Sequence, residues 1–110
     1  MLFRSLVDGG AAALELISER QFDLILLDLM MPEISGLDVL KNLKSDPLHR
    51  NIPVIMVTAA DEVETAAECI TVGADDFITK PFNKTLLRAR VAASLEKRSS
   101  AIKKQFILIG

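Results

Sequence analysis

The sequence predicts an α/β domain built on a parallel sheet, and three observations carry that reading. The runs Leu24-Ile25-Leu26-Leu27 and Val54-Ile55-Met56-Val57 are consecutive, apolar and bounded by polar residues. That is the pattern of strands buried on both faces. Each run is followed by a stretch of helical periodicity, and alternating strands and helices imply parallel pairing through right-handed crossovers. The runs, with a shorter one at Asp75–Lys80, end on Asp28, Thr58 and Lys80, about 20–30 residues apart as successive crossover units require.

The bulk numbers fit one domain. The chain has 110 residues, half of them hydrophobic and a quarter charged, with no Trp or Tyr. A net charge of −2 gives no electrostatic case for direct nucleic-acid binding. The single cysteine, Cys69, excludes an internal disulfide and reads as a small helix residue. His49 is the one histidine and has no second ligand type beside it in the sequence, so a metal site there is not expected. No apolar run approaches the roughly 18–20 residues of a membrane span. A soluble, cytoplasmic protein is the expectation.

In order, Leu2-Phe3-Arg4-Ser5 is what a common adapter oligonucleotide encodes when read in frame, so residues 1–5 are expected to be a non-native or artefactual start. From Gly10 a helix is expected, with Ala13, Leu14 and Ile17 as its apolar face and Asp8 as its cap. The run ending at Asp28 leads into Met30-Met31-Pro32, where proline stops the ladder. Ser35 caps a second helix whose buried stripe is Leu37, Leu40 and Leu43; Asp46-Pro47 ends it. After the strand closing on Thr58 comes the small pair Ala59-Ala60. A third helix then spans about Asp61 to Val72, with Val63, Ala66, Ala67 and Ile70 as its apolar face and Gly73 as its stop. Asn83 caps a last helix carrying Leu86, Leu87, Ala89, Val91 and Leu95, which stays plausible toward Lys103. Phe106-Ile107-Leu108-Ile109 forms a separate apolar tail.

A parallel sheet places Asp28, Thr58 and Lys80 on one edge, and in open α/β sheets chemistry gathers beyond the carboxyl ends of the strands. One such residue is easily a strand cap; three on consecutive strands point to a site. The set suits anion handling. A carboxylate attacks phosphorus to give an acyl phosphate, an ammonium offsets the phosphoryl charge, and a hydroxyl donates one hydrogen bond. Ala59-Ala60 leave room for the group to approach. A second carboxylate to hold a magnesium ion is lacking.

These motifs resemble the receiver domain of two-component response regulators. The resemblance rests on Leu-Ile-Leu-Leu-Asp28-Leu-Met-Met-Pro32, Gly36-Leu-Asp-Val-Leu, Pro53-Val-Ile-Met-Val-Thr58-Ala59 and Gly73-Ala-Asp-Asp-Phe77-Ile-Thr-Lys80-Pro81-Phe82. It implies a flavodoxin-like three-layer sandwich with a parallel sheet. It also implies that Asp28 is the phosphoacceptor, fed by a sensor histidine kinase or phosphotransfer protein. Thr58 becomes the switch hydroxyl, Lys80 its ion-pair partner and Phe77 the aromatic switch. The Lys80–Pro81 peptide becomes cis, and Asp28 with the backbone carbonyl of Met30 become magnesium (Mg2+) ligands. The face of residues 61–97 is then the surface for an output domain or partner. No membrane partner is implied.

The sequence also departs from that family. A complete receiver opens with an apolar strand ending in an acidic pair, then a helix and most of a second strand, and none of these is evident before Leu6. The expectation is therefore a partial receiver over residues 6–97, its central first strand and acidic pair absent, and a helical linker or tail over 98–110. Magnesium binding and phosphorylation are expected to be impaired. Phe106–Ile109 is β-compatible and suits docking in the gap, docking in a partner, or no fixed structure. Two other readings stand beside the first: a pseudo-receiver acting only as an interaction module, and a regulatory receiver of a fused nucleotide-cyclase-type output enzyme. A haloacid-dehalogenase-type phosphatase would need a second aspartate where Met30 stands, which sets it aside.

Overall fold

The computed structural model describes residues 2–7, 10–19, 22–31, 34–81, 83–96 and 104–109. In chain order these form β1 (Leu2–Val7), α1 (Gly10–Glu19), β2 (Leu24–Asp28), α2 (Gly36–Ser45), β3 (Val54–Thr58), α3 (Val63–Val72), β4 (Asp76–Thr79), α4 (Lys84–Glu96) and β5 (Lys104–Ile109). A single 3-10 turn, Ala60–Glu62, leads into α3. The strands make one sheet in the order β1-β5-β2-β3-β4, and every neighbouring pair is parallel.

The doubly apolar runs do what their composition requires. Alternate side chains of a strand point to opposite faces, and here both faces are covered. Ile25 and Leu27, Val54 and Met56, and Ile107 and Ile109 pack in one core with Ala13 and Ile17 of α1, Val39, Leu40 and Leu43 of α2, and Cys69 of α3. Leu24, Leu26, Ile55, Val57 and Ile78 face the other way, toward Val91 and Leu87 of α4. Three helices thus cover one face and α4 the other, a three-layer sandwich.

Local signals start and stop the helices. The Ser35 hydroxyl accepts from the Asp38 N–H, and the Asn83 carboxamide oxygen accepts from the Thr85 and Leu86 N–H groups. Gly73 ends α3 at φ 134°, in the left-handed region, with its N–H on the carbonyls of Cys69 and Ile70. The expected caps at Asp8, the break at Pro32 and the linker 97–103 lie outside the described residues, and nothing is described of the Leu95 side chain.

Two expectations are corrected. First, the gap left by the absent opening strand is closed: β5 lies between β1 and β2, so the sheet is five strands wide. The physical reason is the open slot itself. Unpaired strand edges beside an apolar groove are costly, and an extended apolar run satisfies both sides at once. For the same reason residues 104–109 form a strand rather than part of a helical linker. Leu2–Ser5, expected to be a non-native start, make up most of β1, which pairs with β5 from Leu2↔Lys104 to Val7↔Ile109. Second, α3 buries Ala66 and Cys69, while Val63 and Ile70 are 52% and 41% exposed and Ala67 is exposed too. The two buried side chains are small, which lets the helix approach the sheet closely.

Candidate functional site

The sheet's register delivers the three strand ends to one place. Asp28 pairs with Val57, and Thr58 with Thr79. The chain then leaves each strand under backbone control: the Leu29 N–H donates to the Val57 carbonyl at 2.9 Å, and the Lys80 N–H to the Thr58 carbonyl at 2.7 Å. The Lys80–Pro81 peptide is cis. Lys80 Nζ reaches back across the edge and contacts Asp28 Oδ2 at 2.6 Å. The other carboxylate oxygen, Oδ1, accepts from the Met30 N–H at 3.1 Å, the local turn that aspartate favours. The Asp28 side chain is mostly shielded at 17% exposure, whereas that of Lys80 is 48% exposed.

Two features make this edge more than a row of caps. The side chain of Thr58 is fully buried, and its Oγ1 has no hydrogen-bond partner. An unmet buried hydroxyl costs about 1–3 kcal/mol. Gly36, at the start of α2, lies so close to the strand end that a Cβ there would stand 2.3 Å from the Asp28 carbonyl oxygen and 2.7 Å from Leu29 Cα. Its N–H donates to the Leu29 carbonyl at 2.9 Å. Glycine therefore allows the N-terminus of α2 to lie against the end of β2, where Asp28 stands. The small loop after Thr58 is held by the Glu62 carboxylate, which accepts from the Ala59 N–H at 2.8 Å.

Of the expected site residues, Asp28 and Lys80 are in direct contact, and Thr58 stands at the end of the strand next to Asp28. Phe77 is not at the edge. It lies in β4, partly buried against the core shared with α1, α2 and α3. Its N–H donates to Asp76 Oδ1 at 2.8 Å, while Asp76 Oδ2 accepts from Arg90 Nη1 of α4 at 2.5 Å. The sequence reading missed this Asp76–Arg90 tie, whose partners are 14 residues apart. It also missed the close approach of Gly36. The only local signal for either was the Asp75-Asp76 pair and the glycine itself.

Burial pushes the Cys69 thiol up, with the Glu68 carboxylate adding to the shift, which fits a core residue rather than a nucleophile. His49 Nδ1 contacts Asp46 Oδ2 at 3.0 Å in the loop after α2. Among the described residues no group of three His, Cys, Asp or Glu side chains is placed to hold a metal ion. For magnesium the described edge offers one carboxylate, already engaged by Lys80, and the carbonyl of Met30. That donor set does not fit a hard dication, which wants oxygen ligands on all sides.

The family described as "Response regulator receiver domain" matches residues 4–92. The chain belongs to the receiver domain family. It is 47% identical over 81 residues to the phosphate regulon transcriptional regulatory protein PhoB of Pseudomonas aeruginosa, covering 74% of this chain and 35% of that protein. It is 40% identical over 95 residues to the 3',5'-cyclic-nucleotide phosphodiesterase regA of Dictyostelium discoideum, covering 84% of this chain and 12% of that one. The receiver domain of NtrX from Brucella abortus superposes with a TM-score of 0.76 at 33% identity, covering 81% of this chain and 74% of that one. The chain thus spans 35% and 12% of the lengths of these two curated relatives. Receivers are the signalling domains of two-component systems; they generally bind Mg2+ for phosphorylation and work with histidine kinases or phosphotransfer proteins and output domains. This receiver has a flavodoxin-like parallel sheet whose second strand in spatial order, β5, comes from the C-terminal side of α4. No helix among its described residues is long and apolar enough to cross a membrane.

Proposed function

We propose that this receiver takes a phosphoryl group on Asp28 from the phosphohistidine of a sensor kinase or phosphotransfer protein in the cytoplasm. The observation that carries the reading is the 2.6 Å contact between Lys80 Nζ and Asp28 Oδ2, 52 residues apart in sequence, beside the unpartnered Thr58 hydroxyl. A carboxylate oxygen of Asp28 attacks phosphorus. The P–N bond breaks, its electron pair stays on the departing imidazole, and an acyl phosphate remains. Lys80 transfers its contact from the carboxylate to a phosphoryl oxygen, where charge builds in the transition state. Thr58 Oγ1 donates to another phosphoryl oxygen and so finds its missing partner.

The signal then passes from Thr58 and Phe77 to the face of residues 61–97, where an output domain or partner docks. The described edge brings one carboxylate and no acidic pair beside it to hold a cation, so the transfer is expected to be slow and phosphorylation impaired in this chain. The single carboxylate also supports a second reading, a pseudo-receiver that binds partners without phosphate. Acetyl phosphate with and without Mg2+, followed by intact-mass measurement, separates them. A sub-stoichiometric adduct that disappears in Asp28→Asn supports the phosphoacceptor. No adduct under any condition, with partner capture unchanged in Asp28→Asn, supports the pseudo-receiver. An adduct that survives Asp28→Asn overturns the assignment of Asp28.

A further inference from the structure

The backbone past Thr58 brings a second carboxylate to the edge where Asp28 stands. On a strand, the N–H and C=O of one residue face the same neighbour, and those of the next residue face the opposite one. The Val57 carbonyl accepts from Leu29 on the β2 side, and the Thr58 carbonyl accepts from Lys80 on the β4 side. Ala59 is still extended, at φ −80° and ψ 159°, so the alternation returns its N–H to the β2 side, toward Asp28. That N–H is the first backbone donor beyond the buried, unpartnered Thr58 hydroxyl. It is taken by Glu62 Oε1 at 2.8 Å. The Glu62 N–H donates in turn to the Ala59 carbonyl at 3.0 Å, which closes the 3-10 turn Ala60–Glu62. α3 starts at the next residue, Val63.

We infer that Glu62 gates the phosphoryl site: its carboxylate holds the Ala59 N–H in the resting fold and yields it to a phosphoryl oxygen when Asp28 is modified. The inference rests on the reading of Asp28 as phosphoacceptor. Two properties of Glu62 suit the role. The first is charge. A phosphoryl group brings about −1.5 to −2 charges, and an N–H aimed at the place where that charge gathers stabilises it. A carboxylate on the same N–H has the same sign, so the two do not share it. The second is a weak hold. In a full capping box the N-cap side chain is a hydroxyl that bonds back to the backbone three residues on. Ala59 has only a methyl group, so the Glu62 carboxylate is kept in place by one hydrogen bond at a partly exposed position. Once displaced, it turns to water still ionised, and no proton moves. The 3-10 turn then loses its side-chain tie immediately ahead of α3, at whose start Val63 is 52% exposed. Occupation of Asp28 thus reaches the start of α3 through Ala59 and Glu62.

Acetyl phosphate with Mg2+, followed by intact mass over time, reads the rate of adduct formation on Asp28. Glu62→Gln keeps an oxygen acceptor for the Ala59 N–H and removes the charge. It is expected to form the adduct about two- to fivefold faster than wild type at low salt, with the ratio narrowing as salt is raised. Glu64→Gln removes the same charge from an exposed position on α3 and is expected to match wild type. Amide exchange reads the step into α3. The Glu62 amide and those of the first turn of α3 are expected to exchange faster once Asp28 is modified, and in Glu62→Ala to be fast already without phosphate. An unchanged or slower rate in Glu62→Gln overturns the gate and leaves the assignment of Asp28 standing. Equal acceleration in Glu64→Gln assigns the effect to overall charge and overturns the gate as well. Exchange at the start of α3 that ignores modification of Asp28 overturns the route into that helix. No adduct in wild type or in either glutamine variant overturns the assignment of Asp28 and the gate with it.

Discussion

At the scale of single residues, the edge holds one unmet need and one forced choice. Thr58 Oγ1 is buried without a partner, so Thr58→Val removes an unsatisfied group while keeping the shape. The urea midpoint is expected to rise, by up to about 1–3 kcal/mol in stability, while the lifetime or yield of the Asp28 adduct falls. A lower midpoint would show that the hydroxyl is hydrogen-bonded in the resting fold. Gly36 is the forced choice, because a Cβ there meets backbone rather than a side chain that can swing away. Gly36→Ala is expected to cost about 1–3 kcal/mol, seen as a thermal midpoint several degrees lower, with phosphorylation of Asp28 reduced because the strand end carrying it is displaced. Asp28, Thr58 and Lys80 were legible in the sequence because a strand end is a local pattern. The orphaned hydroxyl and the Gly36 contact were not, because each depends on atoms brought together only when α2 and β3 close around the strand end.

Among the elements, the amino-edge loop between α2 and β3 is tied by one lysine. Lys44 Nζ donates to the carbonyls of Arg50 and Ile52, both at 3.1 Å. Its burial lowers the pKa below 10.5, and the nearby Asp75 carboxylate pulls the other way. A lysine whose pKa is lower folded than unfolded binds fewer protons in the folded state across that window. Its contribution therefore favours folding more as pH rises through the folded pKa toward 10.5. Urea titrations between neutral pH and that value should show a shallower fall, or a rise, in stability compared with Lys44→Met, which has no proton to lose. Identical pH slopes for the two proteins would remove the effect. α3 teaches a different lesson at this scale. Val63, Ala66, Ala67 and Ile70 recur at helical spacing and read as a core stripe, yet of these Ala66 alone is buried, together with Cys69. Periodicity shows that a helix has an apolar side, but α3 carries small apolar residues most of the way round. The packing distance to the sheet then chooses among them.

For the whole molecule, β5 decides whether there is one sheet or two fragments. Among the described pairings β1 pairs with β5, and β5 pairs in turn with β2. Ile107→Ala should cost about 2–5 kcal/mol, and amide exchange in β1 should accelerate together with that in β5, since the two strands share a ladder. Fast exchange at Ile107 in the wild-type chain, or β1 amides that ignore the substitution, would show that the strand is not seated. The sequence by itself determined the alternation of strands and helices, the buried Ala13 and Ile17 of α1 and Leu40 and Leu43 of α2, and the three residues at or just past the ends of β2, β3 and β4, though not Val39. All of these follow from neighbours within a few residues. Only the tertiary structure decided that residues 104–109 lie beside residues 24–27, that residues 2–7 are sheet, and that Thr58 is sealed without a partner. An apolar run states that it must be buried, but the slot that buries it is made by distant segments once they have packed.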